Sequence, residues 1–426
     1  MNLIVAVSEN NGIGLNGSLL CHLPEDLKYF KETTLNKKVL MGYNTLVSLP
    51  GSKPLPNREN FVLTRKDITI PGATVVHSIA EALEKCGDDC FVMGGDSVYS
   101  QLLPYCRYAY VTHIQKSFEA DSFFPELGDN WKLVQESSLK EHKGIKFSFR
   151  VYKNLDLCSI SKKIAKELYP KTLFPEEITR IMSNNVLHLS YKQKYISEDR
   201  LKIQAAYYDH FSPDSIGLQE FHRDLAEPLL ELLGGKYAFA LPVPPPGKRN
   251  YTPILYRKDR LEVLKTQYLS FLGEDHGLWS YSLVLYQRKS DLKKLIHINL
   301  HYHYETKRIP DQAKKVNELI KSCKTLYPDA LICVTGDHNS EADSPEFLEM
   351  TRDTDLKSAC LLTDDPSQRG NTWHTPDLYQ NNTDGEIDHA VIDTELCSLV
   401  SYRRIQDPFI AMATDHYPIY VDIKAK

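Results

Sequence analysis

Apolar and polar positions along this chain follow two periods, near two in some stretches and near 3.6 in others, and the alternation between them lays out the elements. LIVAV at 3–7 is an unbroken apolar run of buried-strand character. The loop SENNGIGLNGS follows, and Gly12, Gly14 and Gly17 give it tight or mobile backbone. LLCHLPEDLKYFKETT then predicts a helix with Pro24 in its first turn, and Asp26, Phe30 and Thr33 fall on one face. VLMGYNT, FVLTR and FVMGGDSVYSQLL each predict a strand running into a turn of small or basic residues, a repeated strand-turn-helix plan. From 155 to 178 a helical pattern over about 159–168 is stopped by Pro170 and Pro175, which predicts a docked helical connector rather than a flexible linker.

Beyond it, strand-like runs alternate with helical ones. TRIMSNNVL, DSIGLQE, NYTPILYR, SYSLVLYQ, KKLIHINLHYHY, ALICVTGD, EIDHAVID and HYPIYVDI predict strands, and 197–210, 223–233 and 310–325 predict helices. So many strands against so few helices predict a sheet-on-sheet α/β core rather than a doubly wound sheet. The expected domains are 1–154, the connector 155–178, and 179–426. A chain of 426 residues exceeds the usual size of a single core.

Composition narrows the classes. Hydrophobic residues at 42% and charged ones at 25% describe a soluble globular protein, no run reaches membrane-spanning length, and the first residues lack a signal-peptide pattern, so the expectation is cytoplasmic. Nine cysteines with no CxxC pair predict reduced thiols, with Cys86 and Cys90 at a helix end and a turn. A formal charge of −5 disfavours a protein that grips long nucleic acid through a global basic field. A local basic groove stays open, and no protein partner is evident.

Candidate chemistry sits at strand ends. In LICVTGDHN, Asp337 and Asn339 stand two apart past Gly336, hard oxygens suited to Mg²⁺ or Mn²⁺, although a strand ending in Gly-Asp also writes an ordinary turn. Asn185, Glu220, Asp388, Asp415 and His416 occupy the same kind of address, and their recurrence predicts a metal-assisted site. In KLIHINLHYHY the period of two puts His297, Asn299, His301 and His303 on one face. Two histidines at i and i+2 can ligate zinc, but spacing marks no third ligand; one touching phosphate and the rest bonding within a polar face is expected. PVPPPGKR at 242–249 predicts a stiff loop whose Lys248 and Arg249 face an anionic substrate. Asp26 has two readings, a solvated first-turn acid or a carboxyl in an apolar pocket whose raised pKa lets it relay a proton.

IVAVSENNGIG, LPEDLKYFK, VLMGYNT, PLPNREN, VMGGDSVY, YVTHI and EADSFFPE together resemble the dihydrofolate reductases over residues 1–153. The resemblance implies an α/β/α fold and NADPH-dependent reduction of dihydrofolate. Asp26 would pair with the pterin and help protonate it, backed by Thr112. Ala6, Phe30, Leu49 and Arg58 would meet the substrate, with Arg58 on its carboxylate. Gly14, Gly42, Thr45, Thr64, Arg65, Gly94, Gly95 and Tyr99 would meet the cofactor. Three positions depart from the family pattern: Cys21 where Trp is usual, Tyr43 where a base often stands, and Asp96 where a third glycine is common. A non-catalytic folate- or NADP-binding module is the alternative.

NNVL, IGLQE, YTPILYRKDRLEV, INLHYHYETKRIPDQA, VTGDHN, EIDHAVI and TDHYPIYVDI resemble the endonuclease/exonuclease/phosphatase superfamily across 179–424. That likeness implies an α/β sandwich and Mg²⁺-dependent hydrolysis of a phosphate ester, with a nucleotide or nucleic acid among the possible substrates. Glu220 would bind the metal with Asn185, and Asp337 and Asn339 would address phosphate and water. His301 would steady phosphate oxygens, Asp415 would support the cluster, and His416, oriented by Asp388, would act as acid/base. Whether His416 or Asp337 is the base stays open.

Overall fold

The structure, a computed structural model, describes residues 1–171, 175–187, 197–241, 250–271, 278–374 and 385–426. The PVPPPGKR segment with Lys248 and Arg249 lies outside them. The chain forms two compact units, Met1–Pro170 and Lys171–Lys426, and the boundary falls inside the expected connector. Among the described residues no helix is long and apolar enough to cross a membrane.

The first unit is built on a nine-stranded sheet. Asn2–Ser8 lies at its centre, parallel to Tyr108–Ile114, with Ala6 opposite Thr112. Phe91–Val92, Lys38–Gly42, Glu59–Leu63 and Ala73–Val76 continue the sheet in parallel on one side, and Ile145–Asn154 pairs antiparallel on the other. The Pro24–Thr34 helix starts as its sequence predicts, with Pro24 in the first turn and Glu25 and Asp26 at the positive end of the helix dipole. Lys38–Gly42 and Phe91–Val92 do run into helices, Tyr43–Ser48 and Asp96–Leu102. FVLTR departs from that plan: its strand leads to another strand, Ala73–Val76, and the helix Ile79–Cys86 comes only after that. Cys86 ends this helix and Cys90 sits in the turn before the next strand.

The connector helix runs Leu157–Leu168, two residues earlier than its pattern predicts, because the Asp156 carboxylate caps Ser159 N at 3.0 Å. It buries Leu157, Ile160, Ile164 and Ala165 within the first unit, an i, i+3, i+4 stripe.

The second unit contains two six-stranded mixed sheets. In one, Ile178–Asn185 is parallel to Ser215–Gln219, with the helix Ser197–Phe211 in the crossover. In the other, Lys294–His301 is parallel to Leu331–Asp337, with the helix Ile309–Leu326 between them, burying Ile309, Ala313, Val316, Ile320 and Cys323. The facing strands are tied by a polar row. His297 Nδ1 meets Ser215 Oγ and its Nε2 meets Thr335 Oγ1, each at 2.7 Å, and Asn299 Nδ2 donates to Leu218 O at 2.8 Å. Burial pulls His297 down to about 3, so it is a neutral structural imidazole with both nitrogens used. Strands Leu261–Ser270 and Cys397–Arg404 lie at sheet edges and were not legible as strands. Each leaves one face largely in water, so charged and polar residues interrupt the apolar signal.

Gly336 is the tightest point of this unit. Its φ is +153°, and an added Cβ would lie 2.1 Å from Leu300 O. Gly336→Ala should lower unfolding stability by roughly 3 kcal/mol or more, read as a fall in the denaturant midpoint. An unchanged midpoint would mean that the strand pair relaxes around the methyl group.

Candidate functional sites

In the first unit the Asp26 side chain leaves the helix toward the central strands, where Thr112 Oγ1 donates to Asp26 Oδ1 at 2.6 Å. Thr112 is buried and Asp26 partly so. Burial raises the Asp26 pKa even though the Thr112 hydroxyl favours the ionised form. The solvated first-turn reading therefore loses to the pocket reading. Phe30 and Leu49 pack against the cluster containing Ile4 and Met41, and Ala6 packs beside Leu23, Ile114 and Phe147.

Arg58 is held at the end of the same helix. Its Nε donates to Thr34 Oγ1 at 2.8 Å and its Nη1 to Pro56 O at 2.8 Å, and the guanidinium lies 5.7 Å from the Phe30 ring centre. Its Nη2 lies 3.4 Å from Lys31 O, so the fold fixes the position of the whole guanidinium. Cys21 sits partly buried in the Leu23 cluster; burial raises its thiol pKa and the charge of Asp26 adds to the effect, so the two groups share one environment.

A cleft of about 540 Å³ opens beyond these strands, with Gly42, Thr45, Thr64, Arg65 and Gly95 in its wall. Gly94 stands behind Thr45, and Gly42 N donates to Gly94 O at 2.8 Å. A Cβ on Gly42 would meet Val98 at 2.9 Å. Gly14 and Tyr99 are not in the wall: Gly14 O accepts from Asp121 N, and the Tyr99 hydroxyl donates to Ile4 O at 2.7 Å. Lys66, which the sequence reading passed over, lies 4.3 Å over the Tyr43 ring and brings a cation to the wall where Tyr43 itself supplies none. Nothing in the run FVLTRK separates Lys66 from a surface lysine.

In the second unit strand register assembles the candidates. Asn185 pairs with Gln219, placing Glu220 one residue further, while His301, Asp337 and Asp388 form a row across three strands. Asn185 Nδ2 is 3.1 Å from Asp337 Oδ2, 3.4 Å from Glu220 Oε1 and 3.4 Å from His416 Nε2. The Asn185 Oδ1 accepts from Leu187 N at 3.1 Å, so it is the amide nitrogen that faces the acids, and the expectation that Asn185 ligates the metal beside Glu220 is corrected: an amide N–H carries no lone pair for a cation. His416 Nδ1 meets Asp388 Oδ2 at 2.7 Å, His301 Nε2 lies 3.4 Å from Asp337 Oδ2, and Asn339 N donates to Asp337 Oδ1 at 3.0 Å. His303 turns away, its Nδ1 accepting from Glu305 N, so the two histidines of HYH do not form a pair of ligands. Glu220 and Asn339 have φ of +56° and +47°, uncommon for residues with side chains.

The electrostatics follow from this crowding. Burial opposes ionisation of Asp337, but His416 and His301 hold it well below the usual carboxylate range. Burial works against charge on His416, yet Asp388 and Asp337 hold it well above the usual histidine range; His301 is raised by Asp337 against the same cost. Burial pushes Asp415 up to about 6, and its Oδ1 is buried with no hydrogen-bond partner. Ligand atoms of Asp337, Asp388 and His416 lie within 4.8 Å of one another. Two hydroxyls hold the frame, one from Thr372, which no motif marked, and one from Thr414, which opens TDHYPIYVDI. Thr372 Oγ1 accepts from Asp388 N at 2.9 Å, and Thr414 Oγ1 donates to Asn185 O.

Comparison with known proteins bears on the first unit. Residues 1–154 match the family model for dihydrofolate reductase. The dihydrofolate reductase of Bacillus subtilis (strain 168) is 41% identical over 148 residues, covering 34% of this chain and 87% of that protein. The one from Neisseria gonorrhoeae is 36% identical over 157 residues, covering 36% of this chain and 96% of its own. A solved dihydrofolate reductase from Enterococcus faecalis, complexed with NADP(H), shows 35% identity over 36% of this chain and 96% of that one, with a TM-score of 0.34.

Proposed function

Through residues 1–154 the chain belongs to the dihydrofolate reductase family, and on that premise we propose that this unit reduces dihydrofolate to tetrahydrofolate with NADPH. The observation that carries the reading is the 2.6 Å bond between Asp26 and Thr112, which holds a carboxyl of raised pKa beside an apolar pocket. Asp26 would pair with the pterin and supply its proton, Phe30 and Leu49 would flank the ring and its extension, and Arg58 would grip the distal carboxylate. NADPH supplies the hydride. Its fit rests on the cleft wall, where Arg65 and Thr64 offer donors to a phosphate and Gly42 and Gly95 allow close approach.

Steady NADPH oxidation on adding dihydrofolate tests this. Binding without turnover would favour the non-catalytic folate/NADP module. Cys21→Trp adds an aromatic face beside Leu23 and Asp26, and the dihydrofolate dissociation constant should fall about 3–10-fold by titration. Unchanged or weaker affinity would show that the pocket is not completed there.

For the second unit we infer a phosphoesterase of the endonuclease/exonuclease/phosphatase type. The supporting observation is the convergence of Asn185, Glu220, Asp337, His301, Asp388 and His416 from strands and strand ends of the two sheets. Carboxylate oxygens, among them Asp415 Oδ1, which has no hydrogen-bond partner and lies 4.0 Å from His416 Nε2, suit a hard cation such as Mg²⁺ or Mn²⁺. Glu220 and Asp337 would hold it, with Asn185 orienting both acids, and the ion would polarise the phosphate ester. The Asp388 contact directs a proton to His416 Nδ1 and turns Nε2 toward the reacting centre, while a protonated His301 would meet phosphate oxygens. A screen of the purified chain with Mg²⁺ against nucleotides, short RNA and DNA, and inositol phosphates tests the reading. Absence of Mg²⁺-dependent release from all of them would refute it.

A further inference from the structure

Beside the acid centre of the second unit three rings gather. Trp279 and His303 have centroids 4.0 Å apart, His303 and Tyr304 4.6 Å, and Trp279 and Tyr304 6.0 Å, so His303 forms the corner of an aromatic angle. The cluster is tied to the centre through short links. His301 Nδ1 bonds to Leu278 O at 3.1 Å, Tyr302 N donates to Asp337 O at 3.0 Å, and Asn339 Nδ2 donates to Tyr302 O at 2.9 Å. Tyr304 is the third residue after His301, at most about 11 Å of extended chain away.

Packing accounts for two of the rings but not the third. His303 is 3% exposed and Trp279 packs against the core, whereas Tyr304 is 66% exposed at the rim of a charged centre. Lys307 and Arg308 follow it, and Glu305 is their shared partner, which leaves a net positive charge beside the ring. An open aromatic face next to cations and a phosphate-directed site matches one ligand chemistry, a flat base joined to a phosphate backbone.

Building on the phosphoesterase reading, we propose that Tyr304, backed by His303 and Trp279, receives an unpaired nucleobase next to the scissile phosphate, so that the substrate is a single-stranded nucleotide phosphodiester. An inositol phosphate has no π-face to offer this ring. A duplex keeps its bases in its own stack.

The test measures equilibrium binding of a labelled short single strand, and of the same strand with abasic sugars, to the full chain carrying Asp337→Asn. The base-bearing strand should bind about 10-fold tighter. Adding Tyr304→Ala should abolish that difference, and Tyr304→Phe should keep it. Equal affinity for the two strands, or a parallel loss for both in Tyr304→Ala, would overturn the proposal. Mg²⁺-dependent cleavage by the unmutated chain is read separately. Cleavage of both strands without base-dependent binding refutes the base site alone; base-dependent binding without any cleavage refutes the phosphoesterase reading and upholds the base site.

Discussion

Asp337→Asn should lower Mg²⁺-dependent phosphate-ester cleavage by about 10³-fold or more while leaving NADPH oxidation unchanged. The carboxylate is the junction of the second site. It takes Asn185 Nδ2 at 3.1 Å and Asn339 N at 3.0 Å, with His301 Nε2 at 3.4 Å and His416 Nε2 at 3.8 Å. An amide in its place keeps the shape but removes the negative charge that favours protonation of both imidazoles and attracts a cation. It also sets an amide donor against either the Asn185 donor or the Asn339 N–H. Parallel assays of both activities on one preparation decide the matter. Loss of NADPH oxidation as well would mean that the two motif sets are not independent.

Asp26→Asn should do the reverse, reducing kcat/KM for dihydrofolate by about 10²-fold or more and sparing ester cleavage. The pH profile gives the sharper readout. Because burial raises the Asp26 pKa, the proton-bearing form persists to higher pH than for an exposed carboxyl, and activity should fall as pH rises through that shifted value. The Asn variant should lack this limb. The stability consequence has a definite sign: a carboxyl whose folded pKa is raised contributes stability below its unfolded pKa, and that contribution disappears as pH rises through the folded one. Above its folded pKa the ionised, partly buried Asp26 is therefore a burden. Since Thr112 can still donate to an Asn oxygen, the variant should melt no lower than the unmutated chain. A lower melting temperature would mean that the ionised carboxylate contributes to the fold.

Much of the chemistry was legible because its residues are rare in their local settings. An acid on the apolar face of the Pro24–Thr34 helix and a Gly-Asp-His-Asn turn after a buried strand are both unusual against ordinary patterning. Fully buried strands such as Leu331–Asp337 and Asp388–Asp393 were legible because each holds an apolar run at its centre. The edge strand Leu261–Ser270 was not, because its face alternates between core and water and carries Glu262 and Lys265. Thr372 was invisible too. A threonine in a loop looks the same whether its hydroxyl meets solvent or orients Asp388.

His297 and His301 show where periodicity stops. Both lie on one face of the same strand, yet His297 is closed between Ser215 and Thr335 while His301 reaches Asp337. The period places them together; only the opposing sheet tells them apart. The sequence by itself determined residue types, element periods and the two sets of motifs, because those are local properties of the chain. The tertiary structure decided which strand ends meet, which amide atom Asn185 turns to its acids, and which carboxyls are raised or held down. Those outcomes depend on register between strands far apart in sequence and on burial that exists only once the sheets have packed.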